Sequence, residues 1–362
     1  MRAATAAALL VTVSAGPVHA QGSVLLEGIA DGEFWSTTAK SNLLTRSEGQ
    51  PTGLGRVQLW GAVEPLRGLV FYAQGGVQSG PAHGGVAARR AYTEQFGIRY
   101  TLSPLLVLDA GRLTPVVGTF ASRHLSTRNP LIGEPDGYSI EYPYGVEVFG
   151  EATHFDYRVA AVSRPTTHWG YQPKAEQRVR PAAGVGFTPM VGLRFGASAT
   201  MGSYLYDDLS SDVLKGKRWD EYRQLVLALD ASFARGYLET HFEAQRGRYE
   251  IPSGSITGLT YYGEAKYTLT PRLFVAARAE RNKYPFIRPA SPAWTTRLTD
   301  FVDGEVGVGY RVTTSTLVKA SVRSDRWWVR ENAPGFLGQG GNAVAVQVSQ
   351  AFDVLSWLER NQ

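Results

Sequence analysis

The chain of 362 residues contains no cysteine. A disulfide framework, a zinc-thiolate site and a cysteine nucleophile are therefore excluded, although an oxidising compartment would have permitted disulfides. Long apolar runs are missing as well. Beyond residue 20 no segment approaches the roughly 20 consecutive apolar residues that a membrane-spanning helix needs. A helical membrane protein is excluded, and any insertion into a bilayer must use strands. Histidine is scarce, with six in the chain, and methionine more so, with three. Past the leader the histidines are His83, His124, His154, His168 and His241, with no metal-ligand spacing among them. Only His241 falls mid-strand, between Glu239 and Glu243 on one face, which is a lining pattern and lacks a nucleophile motif. The glycine pairs Gly75-Gly76, Gly84-Gly85 and Gly340-Gly341 precede no helix, so they do not cradle a phosphate. No metal or cofactor is expected, and no catalytic residue.

What the chain has in quantity is alternation, together with 40 glycines and 18 tyrosines. From Tyr261 to Leu269, Tyr261, Gly263, Ala265, Tyr267 and Leu269 share one face, while Tyr262, Glu264, Lys266 and Thr268 share the other. After the turn Thr270-Pro271-Arg272, Leu273, Val275, Ala277 and Ala279 again oppose Arg278 and Glu280. Ionised groups at strand centres, opposite a face of small, branched and aromatic residues, form the dyad pattern of a transmembrane β-barrel. The amino terminus agrees with that address. Met1-Arg2 is a basic start, Ala3 to Ala15 is moderately apolar, and Val18-His19-Ala20 supplies a cleavage site. Residues 1–20 are expected to be a signal peptide and 21–362 a single transmembrane barrel domain, since no linker, charge block or low-complexity break divides them.

The same pattern recurs as about seven hairpins flanked by two terminal strands, about sixteen strands in all. The short turns fall at Pro65 to Gly68, Ser103-Pro104, Thr188-Pro189-Met190, Ala234-Arg235-Gly236 and Thr270-Pro271-Arg272. Long connections are expected to start near Ser36, Gly80, Thr114, Arg164, Leu205, Ile251, Asn282 and Trp328. In such barrels tight turns face the periplasm and long loops face outward. Aromatic residues at strand ends, among them Tyr100, Tyr142, Phe155, Phe187, Tyr204, Tyr222, Tyr237, Tyr249, Tyr267 and Tyr310, are expected in two interfacial girdles.

Strand phase turns Arg56, Arg99, Arg158, Arg178, Arg180, Arg194, Lys266, Arg278, Arg311, Lys319 and Arg323 inward. It also turns Glu27, Asp31, Glu33, Glu64, Asp109, Glu147, Asp156, Asp230, Glu239, Glu243, Glu264, Glu280, Asp303, Glu305 and Asp325 inward. Charges of both signs at this density suit a hydrated lumen, which a barrel of about sixteen strands is wide enough to leave. The longest loop, Thr114 to about Pro143, mixes stiffening Pro and Gly with Arg123, His124, Arg128, Glu134 and Asp136. It is expected to fold inward and narrow the pore.

The sixteen-strand plan, the long third loop, and Gly111, Arg112, Pro115 and Gly118 where strand five ends resemble the bacterial outer-membrane porins, within them the phosphate-selective porin O/P-like group. The resemblance implies a homotrimer of water-filled channels in the outer membrane with the third loop as constriction, passing small hydrophilic solutes or ions. Porins of this kind end in an aromatic residue, whereas here Asp353 to Gln362 follow Phe352. The net charge of +5 suggests anions such as phosphate, whereas the inward face holds somewhat more acidic than basic groups; Arg158, Arg178, Arg180 and Arg194 could form a positive wall facing Glu134 and Asp136. The same arginines could instead pair with Glu147, Asp156 and Glu176 and brace the barrel. Lipid and lipopolysaccharide are the expected surroundings, with Lys215, Lys217 and Arg218 available to lipopolysaccharide phosphates; nucleic acid is not an expected partner. Two other readings stay open. A sugar- or small-organic-specific channel would use an aromatic ladder, for which Trp60, Tyr72 and Tyr262 face inward. A barrel enzyme would need a catalytic set at a strand rim.

Overall fold

In the computed structural model, which describes residues 23–37, 51–81, 87–135, 142–163, 178–205, 207, 209–327 and 340–355, sixteen strands close into one antiparallel barrel. They are β1 Ser23–Thr37, β2 Thr52–Leu66, β3 Leu69–Pro81, β4 Ala87–Ser103, β5 Leu106–Arg112, β6 Tyr144–Glu151, β7 Phe155–Val162 and β8 Arg180–Met190. The second half is β9 Leu193–Ser203, β10 Arg223–Arg235, β11 Leu238–Ile251, β12 Gly254–Thr268, β13 Leu273–Arg288, β14 Thr295–Arg311, β15 Thr316–Trp327 and β16 Asn342–Asp353. Every strand pairs with its chain neighbours, and β1 closes on β16 from Glu27↔Asp353 to Thr37↔Ala343. No edge is left unpaired, as a hydrocarbon surround requires. The expected signal peptide lies outside the described residues.

The faces are inverted relative to a water-soluble sheet. Along β16, Val344, Val346 and Val348 are 52%, 48% and 46% exposed, while Gln347 and Ser349 between and beyond them are 2% and 0% exposed. Leu227, Leu229, Val185, Val306 and Val322 continue the exposed apolar belt on other strands. So large an uncovered apolar surface is stable only against lipid.

The tight turns lie at one end, where Arg67-Gly68 and Val191-Gly192 join their strands. The second of these differs from the expected Thr188-Pro189-Met190 turn: β8 runs on to Met190 through a register shift after Phe187. Aromatic residues ring this end, with Phe155 against Phe187 at 4.9 Å and Tyr237 against Tyr267 at 6.4 Å between ring centroids. Tyr100 and Tyr310 are exposed there as well.

At the opposite end the girdle expectation fails for several tyrosines. Tyr204, Tyr222 and Tyr249 are buried with Leu205, Leu214, Ile251 and Ile287 in an apolar cluster above the barrel. Two of the hydroxyls are satisfied locally, Tyr222 donating to the Leu214 carbonyl at 2.6 Å and Tyr204 to that of Glu250 at 2.5 Å. A short helix, α1 Ser211–Leu214, is held in this cluster by Trp294, whose Nε1 donates to the Val213 carbonyl at 2.7 Å. The cluster explains a second difference. The connections expected to be long after Ile251 and Asn282 are hairpins that continue past the belt, pairing out to Ile251↔Gly254 and Arg288↔Thr295. Apolar Ile251, Ile256 and Ile287 on these extensions gain a core to pack against, which a bare loop would not supply.

Candidate functional site: the third loop across the lumen

The β5–β6 connection is tied shut at its base by the Leu113 N–H donating to the Pro143 carbonyl at 2.7 Å, and by Arg112 Nε donating to the Tyr142 carbonyl at 3.2 Å. From there it folds inward. Val116 packs on Ala160 and Val162 of β7 and Ala182 of β8, and Val117 packs on Val226 and Ala228 of β10. Gly118, at φ +82°, passes so close to β11 that an added Cβ would lie 2.2 Å from Glu243 Oε1. Only glycine fits that position and that backbone angle. The next residue, Thr119, donates through both N–H and Oγ1 to Glu243 Oε2, at 3.0 and 2.9 Å.

Two consecutive residues then bridge the lumen. Arg123 donates to Glu264 Oε1 at 2.7 Å and to the Tyr262 hydroxyl at 2.9 Å, both on β12. His124 places Nε2 3.5 Å from Glu94 Oε2 on β4, eight strands away round the sixteen-strand ring. Glu94 reaches inward because β4 carries a bulge there: Gln95 pairs with Gln74 and Thr93 with Gly75, leaving Glu94 as the extra residue. Gln58 and Gln74 both donate to its carboxylate, fixing it for the imidazole. Burial disfavours a proton on His124, but the Glu94 contact and the Glu134 and Glu94 charges outweigh it, so its pKa is raised above the ordinary imidazole value of 6.5.

The tip of the loop is gripped by opposite charges. Lys319 of β15, 1% exposed, donates to the carbonyls of Ser126, Asn129 and Leu131 at 2.9, 3.0 and 2.8 Å. Glu305 of β14 accepts from the N–H groups of Ile132 and Gly133 at 3.1 and 3.0 Å. Ser126 Oγ donates to Asp31 of β1 at 2.5 Å. Asn129 rigidifies the tip from within, donating to the Gly133 carbonyl and accepting from the Leu131 N–H.

The wall beneath is an ionic ladder. Glu264, Arg278 and Glu305 stand directly opposite one another on β12, β13 and β14, with Arg278 contacts of 3.2 and 2.8 Å. Arg323 adds Asp303 at 2.7 Å and Glu280 at 3.7 Å. Covered by the loop, Arg278, Glu264, Glu305 and Arg323 are almost fully buried, so this wall is packed and paired, unlike the freely hydrated charges expected from the sequence. Desolvation is tolerable because each group meets an opposite charge in register.

The arginines expected as a positive wall are dispersed among partners. Arg158 is bonded to Glu147, and Arg194 to Asp156 and Asp230 at 2.7 and 2.6 Å. Arg180 faces neutral acceptors, Thr200 Oγ1 and the carbonyls of Ser203 and Gln224. Arg178 precedes β8 and pairs with Asp220 among the outer loops. The Arg158 and Arg194 pairs brace the wall strands, and Arg158 also donates to the loop carbonyls of Thr114 and Pro115 at 3.3 and 3.4 Å. Glu134 is exposed and Arg128 donates to the Ser122 carbonyl, while Asp136 lies outside the described residues. Lys319, Glu305, Glu243 and Asp31 were placed on the inward face by phase, but their grip on loop backbone has no sequence signal. Glu94 was missed outright, since strict alternation points it outward.

His241 lies in register between Ser232 of β10 and Glu264 of β12, the order of a hydrolytic set. Among the described residues it makes no hydrogen bond to either, and both Glu264 oxygens are taken by Arg123 and Arg278. Trp60, Tyr72 and Tyr262 donate their polar hydrogens to Glu27, Asp109 and Glu243, so they are tied to wall carboxylates.

No protein-family model matches the sequence, and a search of curated proteins finds no match. Solved structures do match in fold. An anion-selective porin from Comamonas acidovorans superposes with a TM-score of 0.59 at 12% identity, covering 92% of this chain and 100% of its own. OmpF of Salmonella typhi in complex with daunomycin gives 0.61 at 11% identity, covering 91% and 97%. OmpT, an outer-membrane protein of Vibrio cholerae, in its trimer form gives 0.55 at 11% identity, covering 91% and 99%. These likenesses carry the architecture and do not single out the phosphate-selective group. A closed sixteen-strand barrel with a lipid-facing belt, shared with bacterial outer-membrane proteins, places this chain in the bacterial outer membrane.

Proposed function

We propose that the protein is an outer-membrane porin, a passive channel for small hydrophilic solutes or ions in which the third loop forms the constriction. The observation that carries this is the loop's span: Arg123 bonds to β12 and His124 approaches β4, on opposite sides of the ring, so everything crossing the barrel passes beside that bridge. A sixteen-strand barrel is wide enough to leave an aqueous path beside this loop, since side chains alone fill barrels of about eight strands. A channel is favoured over a barrel enzyme because His241 makes no hydrogen bond to Ser232 or Glu264 among the described residues. It is favoured over a sugar channel because the inward aromatics are tied to the wall. Assembly as a homotrimer belongs to the same proposal, supported by a trimeric structural neighbour.

The test is conductance in a planar bilayer. The purified barrel should conduct, and deletion of residues 123–136 should raise single-channel conductance. A folded barrel that does not conduct overturns the reading. The reversal potential in a salt gradient then gives the ion preference, with anion preference expected from Arg128 and Arg311, which meet no carboxylate among the described residues.

A further inference from the structure

We infer that the outside of the barrel carries a docking site for the phosphorylated glycolipid of the outer leaflet, formed by β11 to β15 on the face turned away from the lumen. The apolar belt is hollowed there. Gly263 of β12, Ala279 of β13 and Gly304 of β14 stand in one register row on the outward face, with Ala265 and Ala277 paired in the row below. A Cβ added at Gly263 would meet nothing within 4 Å, and one at Gly304 only the Arg278 carbonyl at 3.8 Å, so the row opens onto free space. Two adjoining grooves of about 590 and 750 Å³ lie along these rows, joined at Ala265, Ala277 and Val306 and walled by Phe242 and Tyr267. On neighbouring β10 the larger Leu227 and Leu229 fill the corresponding outward positions.

The rim above the grooves is basic. Arg246 and Arg281 stand eight positions beyond Leu238 and Leu273, where their strands leave the tight turns, and Arg248, Lys283 and Arg326 stand ten positions beyond Leu238, Leu273 and Thr316. At about 3.3 Å per residue and a tilt of about 40°, both tiers lie about 20 to 25 Å from the turns, at the outer border of an apolar band about 25 Å tall. They share the strand phase of Phe242, Ala279 and Val322, so they face headgroups and not the lumen. Two carboxylates stand near them: Asp300, 3.1 Å from Arg281 and 3.5 Å from Lys283, and Glu250, which accepts the Arg223 N–H at 3.2 Å. Arg246 and Arg326 make no ion pair or hydrogen bond among the described residues, and Arg248 donates to Ser255 Oγ at 3.3 Å, so the rim keeps a positive excess. The loop cations that the sequence offered to lipopolysaccharide are engaged elsewhere, Lys217 over the Tyr222 ring at 5.4 Å and Arg218 with Asp220 at 2.8 Å. An arginine at the border of the hydrocarbon turns its guanidinium toward the headgroups, where a phosphate accepts its fork of charge-assisted hydrogen bonds. From Arg246 on β11 to Arg326 on β15 the cations spread over four strand spacings, about 19 Å, which is room for more than one phosphate. The hollow beneath is as broad, and a hydrocarbon chain is about as wide as one strand spacing, so more than two chains lie side by side. Several phosphates above several chains, at the loop-bearing end of the barrel, is the chemistry of the outer-leaflet glycolipid.

The inference rests on the outer-membrane placement and not on conduction, so it goes beyond the porin reading. Its test is native mass spectrometry of the detergent-folded barrel with bis-phosphorylated lipid A, beside phosphatidylglycerol and phosphatidylcholine as comparison lipids. Lipid A should be retained in preference to both. Arg246→Gln and Arg326→Gln should each weaken its retention about fivefold, and the two together about 25-fold, as expected for basic residues at an anionic headgroup surface. Arg246→Lys and Arg326→Lys, which keep the charge and lose the fork, should fall between native and the glutamine variants and serve where those fail to fold. Gly263→Leu with Ala279→Leu fills the hollow and keeps every charge; it should also weaken lipid A retention in a barrel that keeps its heat-modifiable gel shift. Equal retention by the native barrel and the double glutamine variant overturns the site. So does equal retention of lipid A and phosphatidylglycerol, or native retention once the hollow is filled, since either outcome reduces the contact to charge alone. Preferential, arginine-dependent retention by a barrel that never conducts would keep the site and discard the channel.

Discussion

Replacement of Lys319 by methionine isolates the force that seats the third loop. The side chain keeps its length and loses the ammonium that gathers three carbonyls at 2.8 to 3.0 Å. Hydrogen bonds to a charged group contribute roughly 1.5–3 kcal/mol each. Part of that sum only offsets the desolvation of a lysine 1% exposed. Freed carbonyls can also recover water from the lumen once the tip lifts. A net loss of about 2–4 kcal/mol in the seating of residues 126–131 is therefore expected. At about 1.4 kcal/mol per factor of ten, this shifts the seated-to-lifted ratio by roughly 30- to 700-fold. Glu305 still holds Ile132 and Gly133, so the tip should pivot while staying attached. Single-channel recording should show a larger mean conductance with added open-channel noise, and Glu305→Gln, whose amide oxygen can still accept both N–H groups, a smaller change. Because the chain has no cysteine, one cysteine introduced at Thr127 can carry a spin label that reports the same motion. A Lys319→Met barrel with native conductance, native noise and an immobile label would refute the assignment of Lys319 as the tether.

Three further outcomes follow from the geometry. Gly133→Ala would place a Cβ 2.5 Å from Glu305 Oε2 and 3.1 Å from Arg323 Nη1, so the tip should lose about 1–3 kcal/mol of seating and conductance should rise, without loss of the heat-modifiable gel shift of the folded barrel. For His124 the folded pKa is raised, so its contribution to the bridge is complete below the ordinary value of 6.5 and is lost as pH rises through the folded value; native conductance should climb with pH above 6.5, and His124→Gln should flatten that dependence. Leu229→Arg, on the lipid face at 60% exposure, should cost about 2–4 kcal/mol at the bilayer midplane and impair folding into lipid, whereas Gln245→Arg on the lumen face beside Glu243 should fold; equal folding of the two would reverse the assignment of faces.

The barrel was legible because its signal is local. Each strand announces its own faces through a period of two, and in β16 the valines and their small or polar neighbours fall on the faces the alternation assigns. Where that period breaks, sequence reading breaks with it. The bulge at Glu94 inverts the phase of a few residues, and nothing in the local sequence distinguishes a bulged from a regular strand there. Tyr204, Tyr222 and Tyr249 sit at strand ends like girdle tyrosines, and only their contact with residues as distant as Ile287 makes them core. The hairpin at Pro252-Ser253 did carry a signal, since Pro-Ser-Gly is turn chemistry, but the expected loop length hid it. The loop tip was the least legible part, because Lys319 and Glu305 hold backbone carbonyls and N–H groups, which every sequence supplies.

The pairing of the lumen charges changes what net charge can say about selectivity. A formal balance of +5 treats every ion as a source of field. In the folded barrel most inward arginines lie within 3.2 Å of a carboxylate, and a pair so close acts as a dipole whose field falls off faster than that of a single charge. An ion crossing the constriction therefore feels chiefly the groups that the register leaves over. Without a carboxylate partner among the described residues stand Arg128 of the loop and Arg180 and Arg311 of the wall, while the Glu243 carboxylate meets only neutral donors. Neutralising Arg128 and Arg311 together should then alter ion preference more than neutralising Arg158 and Arg194 together, although all four are arginines in the same lumen.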